Sequence, residues 1–306
     1  MNRPKVVVVG SLNMDIVIES QRFPQIGETI MGQHVHFIPG GKGANQAVAL
    51  SRLGAETTLI GAVGNDEFGT GLIHSLESSG IKSATVKIMT DQPTGIASIL
   101  LAKGDNHIVV VPGANEFCTV DDVYRHEQAI KEADIVLLQL EIPLETVCAA
   151  AKLAKRHQKL VILNPAPAQS LPSDLLKNID LITPNRSELS LLTGIETNSE
   201  VQLETAAKVL LEMGPGCVVV TLGEKGSAFL TKEGGWQLVQ SFKVPVVDTT
   251  GAGDAFNAGL AFSLAKGENV LDSVKFASKV SALAVTKLGA QSGMPSLEEV
   301  EKYSFW

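Results

Sequence analysis

Seven consecutive residues, Asp248-Thr249-Thr250-Gly251-Ala252-Gly253-Asp254, carry the strongest chemical signal in the chain. They follow a β-like run, Val244–Val247, and open an amphipathic helix whose Phe256, Leu260 and Leu264 share one face. Small residues at a helix start let backbone N–H groups approach an anion closely. The first-turn amides have no intrahelical acceptor, and the helix dipole is positive there. Gly251, Ala252 and Gly253 therefore suit a developing phosphoryl charge. A carboxylate in that turn, Asp254, could take the proton from an attacking hydroxyl. A plain turn with a capping aspartate fits the same string.

Four further constellations bear on the same chemistry. Gly40-Gly41-Lys42-Gly43-Ala44-Asn45-Gln46-Ala47 is a glycine turn running into a helix. It lacks the GxxxxGK[ST] spacing of a Walker A loop. Asn45 offers both a donor and an acceptor, as a sugar hydroxyl requires. Asn13 and Asp15, two apart in an extended segment, point to one face and resemble a polyol site, or else an Asx turn. Asn185 and Glu188 lie three apart at a helix start, an oxygen pair that suits Mg²⁺ through water and equally suits a cap. Thr221-Leu222-Gly223-Glu224-Lys225-Gly226 follows a very apolar strand, where open α/β sheets bind nucleotides and where a tight hairpin is also possible. His34 and His36 share a strand face, but no third metal ligand is evident.

These residues must be held by a scaffold, and the rest of the chain describes one. Strands are expected at Lys5–Val9, Thr57–Val63, Ile135–Leu140, Leu160–Leu163, Asp180–Thr183 and Cys217–Leu222. Helices are expected at Ala44–Leu53, Glu67–Ser79, Val120–Ala133, Thr146–His157, Val201–Met213, Asp254–Lys266 and Ser273–Lys287. Thr119 and Asp122 read as a capping box. Strands separated by helical crossovers imply a mostly parallel sheet covered on both faces, an α/β fold of three layers. Two stretches break the alternation. Residues 14–38 hold short extended pieces, and residues 84–112 read as three strands with turns at 91–94 and 103–106. Neither is long enough for a domain, so the expectation is one domain over 1–306 carrying a small β lid.

The chain has 306 residues, 44% hydrophobic and 19% charged, so a sizeable core is available and wholesale disorder is excluded. A net charge of −8 argues against a general nucleic-acid binder, which needs a basic face. A polyanionic substrate must then be held by local donors rather than steered by the whole-protein field. Cys118, Cys148 and Cys217 lie far apart without a CxxC pair, which fits a reducing compartment. The apolar run Val6–Val9 ends at Gly10, too short for a signal-peptide core, and no stretch approaches a membrane span. A cytoplasmic location is expected.

Taken together, Asn13/Asp15, Gly40–Ala47, Leu140-Glu141, Asn164-Pro165-Ala166-Pro167-Ala168, Asn185/Glu188 and Asp248–Asp254 resemble the ribokinase-like (PfkB) carbohydrate kinases over essentially the whole chain. The glycine turn at 40–47, the run 164–168 and Gly289-Ala290-Gln291 point, within that family, to members acting on ribose. The resemblance implies ATP-dependent phosphorylation of the D-ribose 5-hydroxyl, with a lid that packs against a second subunit's lid. It implies sugar contacts at Asn13, Asp15, Gly41, Lys42, Gly43, Asn45 and Glu141, with Asp254 as base. The nucleotide would lie against Asn185, Thr221–Gly226, Gly253 and Ser278. Asn185 and Glu188 would serve Mg²⁺ through water, and K⁺ would sit near Asp248, Thr250, Ala284, Lys287, Gly289 and Gly293. Two positions depart from the family pattern. Arg186 stands where an acidic residue is usual, and Gly293 stands where a serine is often found. Rival readings are a family kinase for deoxyribose, fructose or a nucleoside, a non-catalytic sugar sensor, and a structural subunit.

Overall fold

Val6 and Val8 pack into one hydrophobic cluster while Val7 and Val9 pack into another, so the first strand, Lys5–Val9 (β1), divides the interior in two. Successive strand residues face opposite ways, and a strand covered on both faces must be apolar throughout. The structure is a computed structural model and describes residues 3–103 and 105–303. Gly104, within the expected turn at 103–106, lies outside the described residues.

Nine strands form the main sheet. Besides β1 they are Glu56–Gly64 (β4), Val86–Met89 (β5), Ile135–Leu138 (β8), Leu160–Leu163 (β9), Leu181–Ile182 (β10), Cys217–Thr221 (β11), Ser227–Thr231 (β12) and Gln237–Val239 (β13). Their spatial order is β13-β12-β11-β10-β9-β8-β1-β4-β5. All neighbours from β11 to β5 run parallel, and β12 and β13 add an antiparallel edge. A second sheet is formed by Asn13–Glu19 (β2), His34–Gly40 (β3), Gly95–Ala102 (β6) and Asp105–Val111 (β7), in the order β3-β2-β6-β7.

Helices complete the three layers. Lys42–Arg52 (α1), Glu67–Ser78 (α2), Ala252–Ala265 (α9) and Val270–Ala284 (α10) bury residues in the cluster of Val6 and Val8. Val120–Arg125 (α3), Glu127–Glu132 (α4), Leu144–Arg156 (α5), Ser173–Leu176 (α6), Arg186–Thr193 (α7) and Glu200–Glu212 (α8) serve the cluster of Val7 and Val9. Two short helices, Ala290–Gly293 (α11) and Leu297–Lys302 (α12), close the chain. Helix α9 is buried at every position from Asp254 to Ser263, which accounts for its run of alanine, glycine and phenylalanine. The mostly parallel sheet between helical layers, with a separate small sheet, is the architecture anticipated from the alternation.

Three local expectations need correcting. The first of the three strands read in 84–112 is β5, which pairs in parallel with β4 in the main sheet. Only β6 and β7 join the small sheet, so its strands span 13–40 and 95–111. The run Val244–Val247 is not a strand. Val246 and Val247 are exposed, and the amide of Val247 donates to the Val285 carbonyl at 2.8 Å. The helix expected over Val120–Ala133 breaks at His126, where φ is −106° and ψ 22°, although its Thr119/Asp122 capping box is present. The cysteines are free, Cys118 and Cys217 buried and Cys148 half-buried.

Candidate active site

Three strands of the small sheet meet beside the expected sugar contacts. Asn13, the first residue of β2, is in register with Gly40 at the end of β3 and Gly95 at the start of β6. Gly41 follows at φ 87°, and a Cβ there would lie 2.6 Å from the Asn13 amide nitrogen, so only glycine fits. Gly43 lies against the backbone of Gly10 and Ser11. The turn thus packs α1 onto the end of β1. Ser11 donates through Oγ to Glu141 Oε2 at 2.5 Å, and the Lys42 amide donates to the same oxygen at 3.0 Å. One oxygen of Glu141 is therefore held by the protein.

Asp15, Glu141 and Asp254 form a group of carboxylates with Lys42 among them. Burial pushes the Asp15 carboxyl up to about 7, the charges of Glu141 and Asp254 push the same way, and Lys42 opposes them. Burial alone would lower the Lys42 ammonium, but Asp254, Glu141, Glu188 and Asp15 together raise it above its usual value. Lys42 thus stays charged and links the sugar side to Glu188.

Asp254 occupies the first turn of α9, whose N-cap is Gly251 at φ 78°. The Ala252 amide turns back to the Thr249 carbonyl at 3.2 Å, and the Ala255 amide closes onto Gly251 at 2.8 Å. Ala252 is thus less available to an anion than the sequence implied. The amides of Gly253 and Asp254 have no acceptor four residues back within the helix. Asn45 Nδ2 donates to Asp254 Oδ2 and Gln46 Nε2 donates to Oδ1, each at 2.9 Å. Gln46 is itself fixed, accepting from Gln139 Nε2 at 2.6 Å and donating to Asn164 Oδ1 at 3.3 Å. Burial raises the Asp254 carboxyl, while Lys42 and the two amides work against that rise. A base poised above the ordinary carboxylate range accepts a proton more readily.

On the other side of this turn lies a cleft of about 1020 Å³. Its walls include Asn185, Thr221, Gly223, Glu224, Lys225, Gly226, Gly253 and Ser278, as expected. Leu222 differs, since its side chain packs against the core cluster of Val7 and Val9. Residues 223–225 form a single 3₁₀ turn, and β11 and β12 form the hairpin that was the alternative reading, with its turn lining the cleft. Phe256, Val244 and Val246 add an apolar wall.

Asn185 and Glu188 meet as a reciprocal capping box at the start of α7. Asn185 Oδ1 accepts from the Glu188 amide at 2.9 Å, and Glu188 Oε2 accepts from the Asn185 amide at 2.8 Å. Burial raises the Glu188 carboxyl above its usual value. The cap is present, and Asn185 also lines the cleft. At the other end of the turn, Asp248 Oδ1 accepts from the Thr250 amide at 2.9 Å and from Thr250 Oγ1 at 2.7 Å, while Oδ2 accepts from the Gly289 amide at 2.8 Å. Burial opposes ionisation of Asp248, yet these hydrogen bonds hold its carboxyl below the usual range. Gly293 donates to the Gly289 carbonyl at 2.9 Å, and a Cβ on it would lie 2.8 Å from the Ala284 carbonyl oxygen. Asp248, Thr250, Ala284, Gly289 and Gly293 are thus one neighbourhood. The Lys287 side chain leaves it to pair with Glu299 at 2.6 Å. His36 pairs with Glu19 at 3.1 Å, and no group of three His, Cys, Asp or Glu that could hold a metal occurs among the described residues.

Sequence reading missed Ser11, Gln46, Gln139 and Asn115 as members of the site. Gln46 sat inside a noticed motif, but nothing local signals that it reaches Asp254, 208 residues away.

The chain matches the pfkB family carbohydrate kinases over residues 3–297. The ribokinase of Bacillus subtilis is 40% identical over 297 residues, covering 97% of this chain and 98% of that protein. A deoxyribokinase of Salmonella typhimurium is 36% identical over 300 residues, covering 97% and 98%. The structure of Arabidopsis thaliana ribokinase complexed with ribose and ATP superposes with a TM-score of 0.91 at 35% identity, covering 99% of this chain and 100% of that one. The family match and these relatives each run over nearly the whole chain, and the chain belongs to the pfkB family of carbohydrate kinases.

Proposed function

We propose that this protein is an ATP-dependent kinase that transfers the γ-phosphoryl group to the 5-hydroxyl of D-ribose, giving D-ribose 5-phosphate and ADP. The observation that carries the reading is the position of Asp254. Its carboxylate is tied to Asn45 on the sugar side, and its helix start, at Gly253, borders the cleft. The relatives named above, one of them solved with ribose and ATP, support the same choice of substrates.

Asn13, Asp15, Asn45 and Glu141, with the turn at Gly41, Lys42 and Gly43, fix the furanose so that its primary hydroxyl meets Asp254. Asp254 takes the hydroxyl proton as the sugar oxygen bonds to the γ-phosphorus and the bond to the bridging oxygen of ADP breaks. The amides of Gly253 and Asp254 stabilise the charge on the transferring group, and Lys42 adds a positive charge between sugar and phosphates. Adenosine lies along Thr221–Gly226, Ser278 and the apolar wall.

The donor set fits Mg²⁺ held through water near Asn185 and Glu188, because their oxygens are already engaged in the cap. The ion would supply positive charge to offset that of the nucleotide phosphates. The neighbourhood of Asp248 fits K⁺ held by main-chain oxygens, because both carboxylate oxygens are spent on Thr250 and Gly289. Candidate ligands are Asp248, Thr250, Ala284, Lys287, Gly289 and Gly293, the last without a side-chain oxygen. A K⁺ held there would supply order to the turn before α9.

The chain works as one unit with the small sheet as a lid over the sugar. Exposed Val35, Phe37, Ile108 and Val109 support pairing of two copies through that lid. No helix among the described residues is long and apolar enough to cross a membrane, and three free cysteines suit the cytoplasm.

The test is ADP release with ATP and Mg²⁺ against ribose, 2-deoxyribose, fructose and adenosine, in K⁺ or in Na⁺. Ribose turned over fastest, and faster in K⁺, is the expected result. Faster turnover of another sugar moves the substrate and keeps the mechanism. Sugar binding without turnover of any removes the kinase reading in favour of a sensor.

A further inference from the structure

Asn115 lies on the single turn Gly113–Phe117 that follows the last lid strand, 102 residues from Asn13. It is 1% exposed. Its Oδ1 accepts from the Leu12 amide at 2.9 Å. Its Nδ2 donates to Asn13 Oδ1 at 2.8 Å, and to the carbonyls of Leu12 and Pro112, each at 3.0 Å. Two hydrogens are thus shared among three acceptors.

The direction of this network is forced. A backbone N–H can only donate, so the end of the Asn115 amide that meets Leu12 N must be oxygen. The other end is then a donor, and the Asn13 atom it meets must be oxygen too. The planar amide of Asn13 turns its Nδ2 away from Asn115. Gly95 closes the space around the contact, since a Cβ there would collide with Asn115 Nδ2, Asn13 Oδ1 and the Pro112 carbonyl. Asn45 is resolved in the opposite sense. Its Nδ2 is spent on Asp254, and its Oδ1 is buried without a protein partner.

We infer that Asn115 is a positioning residue that sets the sense of the Asn13 amide, so that Asn13 meets the sugar as a hydrogen-bond donor while Asn45 meets it as an acceptor. The inference rests on the ribose-kinase reading above. Because Asn115 also binds the Pro112 carbonyl, where β7 leaves the lid, the same side chain ties the exit of the last lid strand to the start of the first. A sugar contact and the lid root are one hydrogen-bonded unit.

The test compares KM for ribose and for ATP in wild type, Asn13→Ala, Asn13→Asp, Asn115→Asp and the double variant Asn13→Ala/Asn115→Asp, with Tm recorded for each. Asn13→Asp keeps an oxygen for Asn115 and removes the donor. It is expected to raise ribose KM by about tenfold or more, with ATP KM within about twofold and Tm near wild type. Asn115→Asp keeps the bond from Leu12 N but faces Asn13 Oδ1 with oxygen, and is expected to raise ribose KM similarly. In the Asn13→Ala background it adds less than about twofold. Ribose KM unchanged in Asn13→Asp, or fully additive effects of the two positions, overturns the inference. If Asn115→Asp does not fold, Asn115→Ser takes its place in the cycle, and Asn13→Asp decides alone whether the donor matters. Absence of ribose turnover in the wild type sinks the substrate reading instead, before any variant is compared.

Discussion

Asn45 Nδ2 donates to Asp254 Oδ2 at 2.9 Å, and the Oδ1 of the same amide is buried with no protein partner. The two facts belong together. The carboxylate fixes the amide's sense, and the unpaired oxygen that results is costly to leave buried. A sugar hydroxyl that donates to it removes that cost, so occupancy of the pocket and orientation of the base are coupled through one side chain.

Asp254→Asn keeps shape and removes the base. It should lower kcat by about 10²–10⁴, the usual range for general-base loss. ATP affinity should stay within a few-fold. Steady-state kinetics with a separate ATP titration checks this, and activity within a few-fold of wild type would refute the assignment.

Asp15 predicts a pH dependence in two readouts. Its carboxyl stands near 7 when folded, against 3.8 for the ordinary group, chiefly because of burial. Protonation below 7 removes an acceptor, so ribose KM should rise as pH falls from 8 to 6, and Asp15→Asn should flatten that rise. For stability the sign is opposite to that of a salt-bridged aspartate. The folded state binds the proton more tightly, so this contribution favours folding below about pH 4 and is lost as pH rises through 7. Asp15→Asn should therefore melt above wild type at pH 8, with the gap narrowing on acidification and closing near pH 4. A constant gap across that span would contradict the shift.

Asp248 holds Thr250 with two hydrogen bonds inside the turn before α9 and ties that turn to Gly289 with a third. Asp248→Ala should lower kcat and raise the K⁺ concentration needed for half-maximal activation, leaving ribose KM within about twofold. Potassium titrations of the variant and the wild type provide the comparison. An unchanged K⁺ requirement would detach Asp248 from the cation.

Pairing through the lid can be located by face. Ile108 and Val110 share the face of the sheet that carries Asp15, through the rows Asp15–Ala97–Val110 and Ile99–Ile108, and Val109 and Val111 lie on the other. Two double variants, Ile108→Asp/Val110→Asp and Val109→Asp/Val111→Asp, should differ in light scattering. The one that disrupts the interface should give monomers at micromolar concentration. Wild type that is itself monomeric would end the pairing proposal.

Legibility in the sequence followed the range of the interaction. The parallel strands were readable because burial on both faces demands unbroken apolar runs, as in Val6–Val9. The turn at 40–43 was readable because close backbone approach demands glycine at 41 and 43, and the turn at 251–253 because its N-cap, Gly251, takes a φ of 78°. Strand β5 was misplaced because Val86–Met89 is short and half-buried, and nothing in four residues says which sheet edge it joins. Val244–Val247 has strand-forming residues but no neighbour to pair with, and it lines the cleft instead. Ser11, Gln139 and Asn115 left no local trace, because their partners Glu141, Gln46 and Asn13 lie 130, 93 and 102 residues away. A polar residue in a core segment reveals its use only when the fold brings its partner.

The root of the small sheet limits how this protein can be re-engineered. The starts and ends of its strands, Asn13, Gly40, Gly95 and Pro112, touch one another or Asn115. A small sheet transplanted from a relative would bring its counterparts of Asn13 and Asp15 with it. A chimaera cut at these four points would then exchange those two side chains and the sheet above them in one step.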